Sequence, residues 1–211
     1  MESIKPIHHY LLVEMNKEFN DTITIGETEL FLDTTYDNYK HACQNGKVFA
    51  VSDGVEGVNV GDTVWFHHFV PADYDMDGNQ ISNHDKLLEK EFNKRLYWVD
   101  AKPASKSGAH QLFLYENDKG VNAYLDTVMV RPIIIEAEKT KSGIILEAFE
   151  KKEVFEEGEI AVSNSFLEDN GFNVGDKVKF SKNSEYEIEV NGEILYRMRT
   201  EDILLKYEAD A

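Results

Sequence analysis

The sequence predicts an all-β protein made of two small β-barrels in tandem, the first with an insertion that contains a short helix. Short runs of β-branched and aromatic residues recur along the 211 residues and are separated by glycine and asparagine turns. Helical periodicity is almost absent. The same series of motifs also occurs twice, which indicates a duplicated structural unit.

The repeated series consists of three kinds of motif in a fixed order. They are a basic residue followed by Pro-Ile (residues 5–7 and 131–133), a glycine-led apolar strand (46–51 and 158–162) and a Val-Gly-Asp turn (60–62 and 174–176). Glycine relieves the turn geometry and aspartate can hydrogen-bond nearby backbone N–H groups, so each Val-Gly-Asp reverses the chain. We therefore divide the chain into a first unit, residues 1–126, and a second unit, residues 127–211.

The strands are predicted from composition in chain order. Residues 7–15 and 128–135 are rich in β-forming residues and give the first strand of each unit. Pro132 lacks an N–H group, so it indicates a strand start or an edge. Near the end of the chain, Asn-Gly at residues 191–192 predicts a hairpin, and residues 200–207 predict a turn into a last strand.

The first unit differs from the second in its middle. Residues from about 69 to about 110 have no counterpart in the second unit and form the insertion. Within it, residues 85–96 show helical spacing, with Asn83 or Asp85 as the cap. Residues 22–25, Thr-Ile-Thr-Ile, are a candidate for one extra strand.

Composition excludes several kinds of partner. The formal net charge is −18 and both halves are acidic, so nucleic acids and anionic membrane surfaces are repelled. No apolar run approaches the roughly 20 residues that span a bilayer, and no secretory leader is visible. The single cysteine, Cys43, leaves no intrachain disulfide, which fits a reducing compartment. We expect a soluble, cytoplasmic protein.

These motifs resemble the GroES (chaperonin-10) family of co-chaperonins, the small lids of the chaperonin folding chamber. The Pro-Ile openings, the glycine-led strands and the Val-Gly-Asp turns match the family pattern in both copies, and residues 186–205 are similar to its ending. The match covers the second unit almost end to end and fits the ending of the first unit poorly. The resemblance implies that both units are GroES-like and that the protein is a tandem, double-domain form.

The family's partner-binding segment lies on a mobile loop between the first strand and the glycine-led strand. In the second unit the resemblance assigns this segment to Gly143, Ile144, Ile145 and Leu146. In the first unit only an apolar triplet occupies the corresponding place. Its members are Leu30, Phe31 and Leu32. The alternative for either triplet is an ordinary core strand.

The composition of the second loop supports this assignment. Half of residues 136–157 are charged, so we expect them to be mobile in the free protein. Only residues 52–59 and 163–173 fill the places where the family has a roof hairpin, so a lid built from these units has an open or differently closed top.

The function predicted from the resemblance is that of a co-chaperonin. The protein caps a GroEL-type chaperonin ring, assists ATP-dependent folding, forms a homo-oligomeric ring, and is not an enzyme. The alternative is a non-enzymatic structural or assembly protein, for example a viral one, that retains the GroES-like fold. The insertion and the weakly matching first loop favour this alternative, and residues 142–146 favour the first hypothesis.

No cofactor or metal is predicted. Asp-Tyr-Asp-Met-Asp-Gly at residues 73–78 begins like a calcium loop, but His84 stands where a glutamate is needed. Two histidine pairs, at residues 8–9 and 67–68, would point to opposite faces of a strand and chelate poorly. A reactive thiol at Cys43 has no supporting motif, and the sequence contains no nucleophile elbow and no phosphate-binding loop.

Overall fold

The computed structural model describes residues 4–26, 28–33, 38–74, 80–82, 94–103, 111–136 and 151–207. The chain divides into two compact units, Met1–Val121 and Asn122–Ala211. Strands account for most of the regular structure in the described ranges, where the α-helices are only four and five residues long. The all-β prediction is therefore confirmed. No helix in these ranges is both long and apolar enough to cross a membrane.

The main sheet of the first unit has six strands in the order β10-β9-β5-β4-β1-β8. Two short hairpins, β2–β3 and β6–β7, form separate two-stranded sheets. The elements are β1 (Tyr10–Glu14), β2 (Thr22–Ile25), β3 (Thr28–Phe31), α1 (Asn38–His41), β4 (Asn45–Val51), β5 (Thr63–Phe66), β6 (Ala72–Tyr74), β7 (Gln80–Ser82), β8 (Leu96–Asp100), β9 (Leu112–Asn117) and β10 (Gly120–Ala123).

The second unit has one six-stranded sheet in the order β14-β15-β11-β12-β13-β16. The predicted Asn-Gly hairpin is confirmed, since Asn191 and Gly192 join β14 to β15 with φ angles of 52° and 83°. The elements are β11 (Thr127–Glu136), β12 (Lys151–Val162), α2 (Ser165–Asp169), β13 (Lys177–Phe180), β14 (Tyr186–Val190), β15 (Glu193–Arg199) and β16 (Ile203–Lys206).

Each unit encloses its own apolar core. In the first unit, Leu11, Leu12 and Val13 of β1 are fully buried, together with large aromatic side chains such as Trp65. The core of the second unit comprises Val128, Val130, Ile160, Leu167, Val178, Phe180, Tyr196 and Met198. Burying each large aliphatic or aromatic side chain contributes roughly 1.5–3 kcal/mol, so these two clusters are the main source of stability.

The two units share one backbone irregularity at the same point. In the first unit Leu12 pairs with Ala50 and Val13 with Val48, so a β-bulge separates the two pairs. In the second unit Met129 pairs with Val162 and Val130 with Ile160, again with a bulge between. The position of the bulges makes Val13 of the first unit equivalent to Val130 of the second. His8 and Leu125, each five residues before these valines, support this equivalence because both have left-handed φ angles, 59° and 51°.

This register corrects one part of the predicted repeat. Arg131 lies opposite Glu159 in the second unit as Glu14 lies opposite Lys47 in the first. Arg131-Pro132 therefore corresponds to Glu14-Met15 and not to residues 5–6, which precede β1. Pro132 is inside β11 instead of starting it. Strand β11 pairs with β15 only over Thr127–Val130, so at Pro132 it is an edge strand on that side. Of the strand start and the edge that were predicted for Pro132, the structure shows the edge.

The insertion also differs from its prediction. Residues 83–93 lie outside the described residues, and with them most of the predicted helix at 85–96. Leu96, the last residue of that prediction, begins strand β8. This strand pairs with β1 from Tyr10↔Asp100 to Glu14↔Leu96 and buries Leu96, Tyr97 and Val99 completely. Part of the insertion is thus a core strand of the first unit.

Candidate partner-binding surfaces

The connection between β11 and β12 is the part of the second unit in which a partner-binding segment was predicted. The two strands stay paired as far as Glu136↔Lys151, the two described residues that flank residues 137–150. Gly143, Ile144, Ile145 and Leu146 lie outside the described residues, and their role stays a prediction. The expectation that all of residues 136–157 form a mobile loop is wrong at both ends, because Glu136 belongs to β11 and residues 151–157 belong to β12.

A wide bulge interrupts β12 just after this connection. Ile134 pairs with Glu153 and Pro132 with Gly158, so residues 154–157 lie opposite a single residue of β11. Glu156 has a left-handed φ of 62°, and Phe155 is 76% exposed. Bulges redirect side chains away from the plane of a sheet. This bulge presents an aromatic ring to solvent beside the connection.

Contacts from three directions hold the bulge in place. Glu157 accepts a hydrogen bond from the Tyr207 hydroxyl at 2.6 Å and pairs with the Lys177 ammonium at 2.7 Å. The hydrogen bond from Lys177 lowers the pKa of Glu157, with Tyr207 as the next cause. Glu153 accepts a hydrogen bond from the Tyr196 hydroxyl, and burial followed by this hydrogen bond raises the pKa of Tyr196. The base of the connection is therefore fixed.

Arg131 crosses the adjoining part of the sheet. Its guanidinium bonds both carboxylate oxygens of Glu193 and donates to Glu159 at 2.6 Å. The hydrogen bond to Glu193 is the largest cause that raises the pKa of Arg131, and the same contact lowers the pKa of Glu193. All three side chains are more than a third exposed, so we assign this ion-pair group a modest structural role.

The corresponding connection of the first unit contains the β2–β3 hairpin. The extra strand considered at residues 22–25 is confirmed as β2, which pairs with β3. Leu30 and Phe31 are on β3, and Leu32 follows it. Phe31 is 82% exposed and Leu30 46%, while Leu32 is half-buried, so the first two are not residues of a buried core strand.

Backbone contacts close the base of this hairpin. The Leu32 N–H donates to the Asp21 carbonyl at 2.8 Å, and an isolated bridge joins Phe19 to Ala42. Near the bridge, the Cys43 thiol donates to the Asn20 side-chain oxygen at 3.3 Å. Burial raises the pKa of Cys43, which leaves less reactive thiolate at neutral pH. Cys43 thus has the surroundings of a structural residue.

The histidine pairs are placed differently from each other. His67 and His68 follow β5 in a turn, and their rings lie against each other with centroids 4.2 Å apart and planes inclined by 35°, so the expectation that they point to opposite faces is wrong. His8 and His9 precede β1, and His9 contacts the Gly54 carbonyl at 2.9 Å. Within the described ranges, no group of three or more His, Cys, Asp or Glu side chains could hold a metal ion. Residues 75–79 of the calcium-like motif lie outside those ranges.

Sequence reasoning missed three exposed apolar residues at these surfaces. Ile23 and Ile25 alternate with threonines on β2, a pattern that predicts one apolar strand face. Phe155 lies among glutamates and lysines, and the high charge of residues 136–157 led to the prediction of a mobile loop there. The alternation could have identified the first two residues, whereas no sequence signal marked the bulge that exposes Phe155.

Comparison with known proteins gives one family for the second half of the chain. The family model described as Chaperonin 10 Kd subunit matches residues 120–207. A co-chaperonin GroES from Rickettsia typhi is 38% identical over 84 residues, which cover 37% of this chain and 87% of the relative. The co-chaperonin GroES from Bartonella tribocorum is 40% identical over 85 residues, which cover 37% of this chain and 86% of the relative. The one from Natranaerobius thermophilus is 42% identical over 91 residues, which cover 39% of this chain and 93% of the relative.

Proposed function

Because this chain belongs to the chaperonin 10 family, we propose that it is a co-chaperonin that caps a GroEL-type chaperonin ring with exposed apolar segments. The observations that support this proposal most are the family match over residues 120–207 and the 84–91 residues of this chain that cover 86–93% of its GroES relatives. Co-chaperonins are generally not enzymes, and the proposal includes no catalytic step. The protein works in the cytoplasm together with the ring that it caps.

Two segments make the contact in this proposal. One is Gly143–Leu146, on the connection that starts and ends at the Glu136↔Lys151 pair. The other is in the corresponding connection of the first unit, on the β2–β3 hairpin that carries the exposed Leu30. In chain order both fall between the two core strands that share the bulge.

The first unit is proposed to be a second GroES-like unit, so that the chain is a tandem form. The shared bulge and the shared left-handed residue support this, as does the Val-Gly-Asp turn. In both units the turn glycine donates its N–H to the core strand at 2.8 Å, Gly61 to Val48 and Gly175 to Ile160. The two glycines have φ angles of 95° and 93°.

Energetics favour a contact made by several segments at once. Burying three aliphatic side chains contributes roughly 1.5–3 kcal/mol each, while ordering a chain segment costs about 1–2 kcal/mol per residue. These terms nearly cancel for one segment of five or six residues, so a single contact is weak. Several segments on one ring bind together through effective concentration. We therefore propose a homo-oligomeric ring.

The experiment is capture of the protein by a purified chaperonin ring in the presence of ATP. The test variant carries Ile144→Ser, Ile145→Ser and Leu146→Ser, and the control carries Phe166→Ser at an exposed site on α2. We expect capture of the wild type and the control, and loss of the triple variant. Failure of the wild type to bind would contradict the co-chaperonin role and favour a structural or assembly protein. If the triple variant is captured as well as the wild type, the assignment of the contact to Gly143–Leu146 is contradicted.

Ring formation is tested separately by native mass spectrometry of the free protein. We expect one closed assembly of several copies. A monomer at micromolar concentration would contradict the proposed ring, because single contacts could not then act together.

A further inference from the structure

We infer that the first unit binds the chaperonin with one face of a preformed β2–β3 hairpin, the face that carries Ile23, Ile25 and Leu30. This inference rests on the proposed function. It differs from binding through the consecutive triplet at residues 30–32, because it assigns the contact to residues on both strands and leaves Phe31 out of it.

The register of the hairpin defines this face. Ile23 pairs with Leu30, and Ile25 pairs with Thr28. Side chains alternate between the two faces of a strand, so Ile23, Ile25 and Leu30 lie on one face. Thr22 pairs with Phe31, and both lie on the opposite face. A consecutive triplet cannot present all its side chains to one surface while the hairpin remains folded.

The apolar face is available for a partner. Ile25 is 61% exposed, Ile23 45% and Leu30 46%. The two strands form their own two-stranded sheet, separate from the core sheet. Covering this apolar face with a partner removes it from water, which favours binding.

The hairpin is held in shape before any partner arrives. Gly26 has a φ of 62°, as tight hairpin turns require. At the other end, Leu32 is hydrogen-bonded to Asp21, and the Asn20 N–H donates to the His41 carbonyl at 2.7 Å. A preformed segment loses less conformational entropy on binding than an unordered one. The hairpin therefore needs fewer buried side chains than an unordered connection to reach the same affinity.

Charge identifies the kind of surface that the hairpin fits. Residues 21–33 contain two aspartates and two glutamates but no lysine or arginine, and the whole chain has a net charge of −18. Two hairpins from separate copies would bring like charges together, which opposes self-association. The complementary surface is an apolar groove with basic side chains at its rim. The hairpin falls between β1 and β4, and in chain order the proposed contact segment of the second unit falls between the corresponding strands β11 and β12, so we assign that groove to the chaperonin.

The first experiment compares the two faces. The double variant Ile23→Thr/Ile25→Thr keeps β-branched side chains, so the hairpin is preserved. The control Phe31→Thr changes the opposite face. We expect the double variant to bind an immobilised chaperonin ring with ATP at least about tenfold more weakly than the wild type, and the control to bind equally. Wild-type affinity of the double variant, or a comparable loss in the control, overturns the inference.

The second experiment tests whether the hairpin binds in its folded form. The bond from Leu32 to Asp21 makes Thr22 and Phe31 a non-hydrogen-bonded pair, with Cα atoms about 4.5 Å apart. A disulfide spans this distance. In a Cys43→Ser background, Thr22→Cys/Phe31→Cys locks the hairpin. We expect equal binding before and after reduction. Weak binding of the oxidised form that reduction restores overturns the inference, since the hairpin must then open.

The binding results distinguish an error in the proposed function from an error in this inference. If the wild type does not bind the ring at all, both are contradicted. If the reduced protein binds and only the hairpin results disagree, the co-chaperonin role stands. Light scattering of the free wild type and of Ile23→Thr/Ile25→Thr should give equal masses. A smaller mass for the variant would assign the face to a second copy and overturn the inference.

Discussion

The Asn173 backbone N–H donates a hydrogen bond to the Asp176 carboxylate at 2.7 Å, and the same bond in the first unit joins Asn59 to Asp62 at 2.8 Å. This bond is the main cause that lowers the pKa of Asp176, and Lys206 acts in the same direction from 3.0 Å. The turn therefore depends on an ionised carboxylate. It fixes the entry into β13, which carries the buried Val178 and Phe180.

Removing this carboxylate should destabilise the second unit. For Asp176→Ala we expect a loss of about 1–2 kcal/mol in the free energy of unfolding, because the turn N–H loses a charged acceptor. The measurement is urea unfolding at pH 7, with Asp169→Ala at an exposed position of α2 as control. Because the folded-state pKa is lowered, the stabilisation is present above the unfolded pKa of about 3.9 and is lost as the pH falls below it. Equal stability of wild type and Asp176→Ala at pH 7 would contradict this account.

Gly158 should not tolerate a side chain. A Cβ atom at this position would lie 2.3 Å from Val130 Cγ1 and 2.7 Å from the Arg131 carbonyl oxygen. The second contact is with backbone, which cannot rotate away, so Gly158→Ala should cost about 1–3 kcal/mol. Urea denaturation against the control Glu189→Ala, at an exposed position of β14, measures the loss. A variant as stable as the control would show that β11 and β12 can separate locally at no cost.

The parts of the fold that the sequence predicted correctly depend on local chemistry. Val-Gly-Asp and Asn-Gly specify turns through residues that are adjacent in the chain, so the turns at residues 60–62 and 174–176 and the hairpin at 191–192 could be identified. The match between residues 5–7 and 131–133 was wrong, because three residues cannot define a register. That register is set by long-range pairs such as Val130↔Ile160. Strand β8 was missed for the same reason, since its pairing with β1 spans most of the first unit.

The candidate site was predictable only in part. The position of both connections followed from the order of motifs, whereas the face that Leu30 shares with Ile23 depends on pairing across a hairpin turn. The exposure of Phe155 depends on a bulge whose contacts with Lys177 and Tyr207 come from strands far along the chain. Sequence spacing carries no record of such contacts.

His68 should make stability depend on pH in the weakly acidic range. Burial lowers its pKa, and its ring packs against His67 and Phe69. The unfolded chain then binds a proton more readily than the folded chain, so stability falls as the pH drops below the unfolded pKa of about 6.5. We expect His68→Asn to show a smaller fall in urea midpoint than the wild type between pH 7.5 and pH 5.5. A fall in His68→Asn equal to that of the wild type would contradict the assignment.

Phe155 should contribute to binding of the chaperonin without contributing to stability. Its ring is 76% exposed on a bulge that Glu157 fixes through Lys177 and Tyr207, and it lies beside the connection that carries residues 143–146. An aromatic ring held in position loses little entropy when a partner covers it. For Phe155→Ser we expect about tenfold weaker binding to an ATP-bound ring, with an unchanged urea midpoint.

Phe166→Ser, at a comparably exposed ring on α2, is the matched control and should bind like the wild type. Equal binding of both variants would exclude the bulge from the contact surface, and a lower urea midpoint in Phe155→Ser would assign the ring a structural role instead.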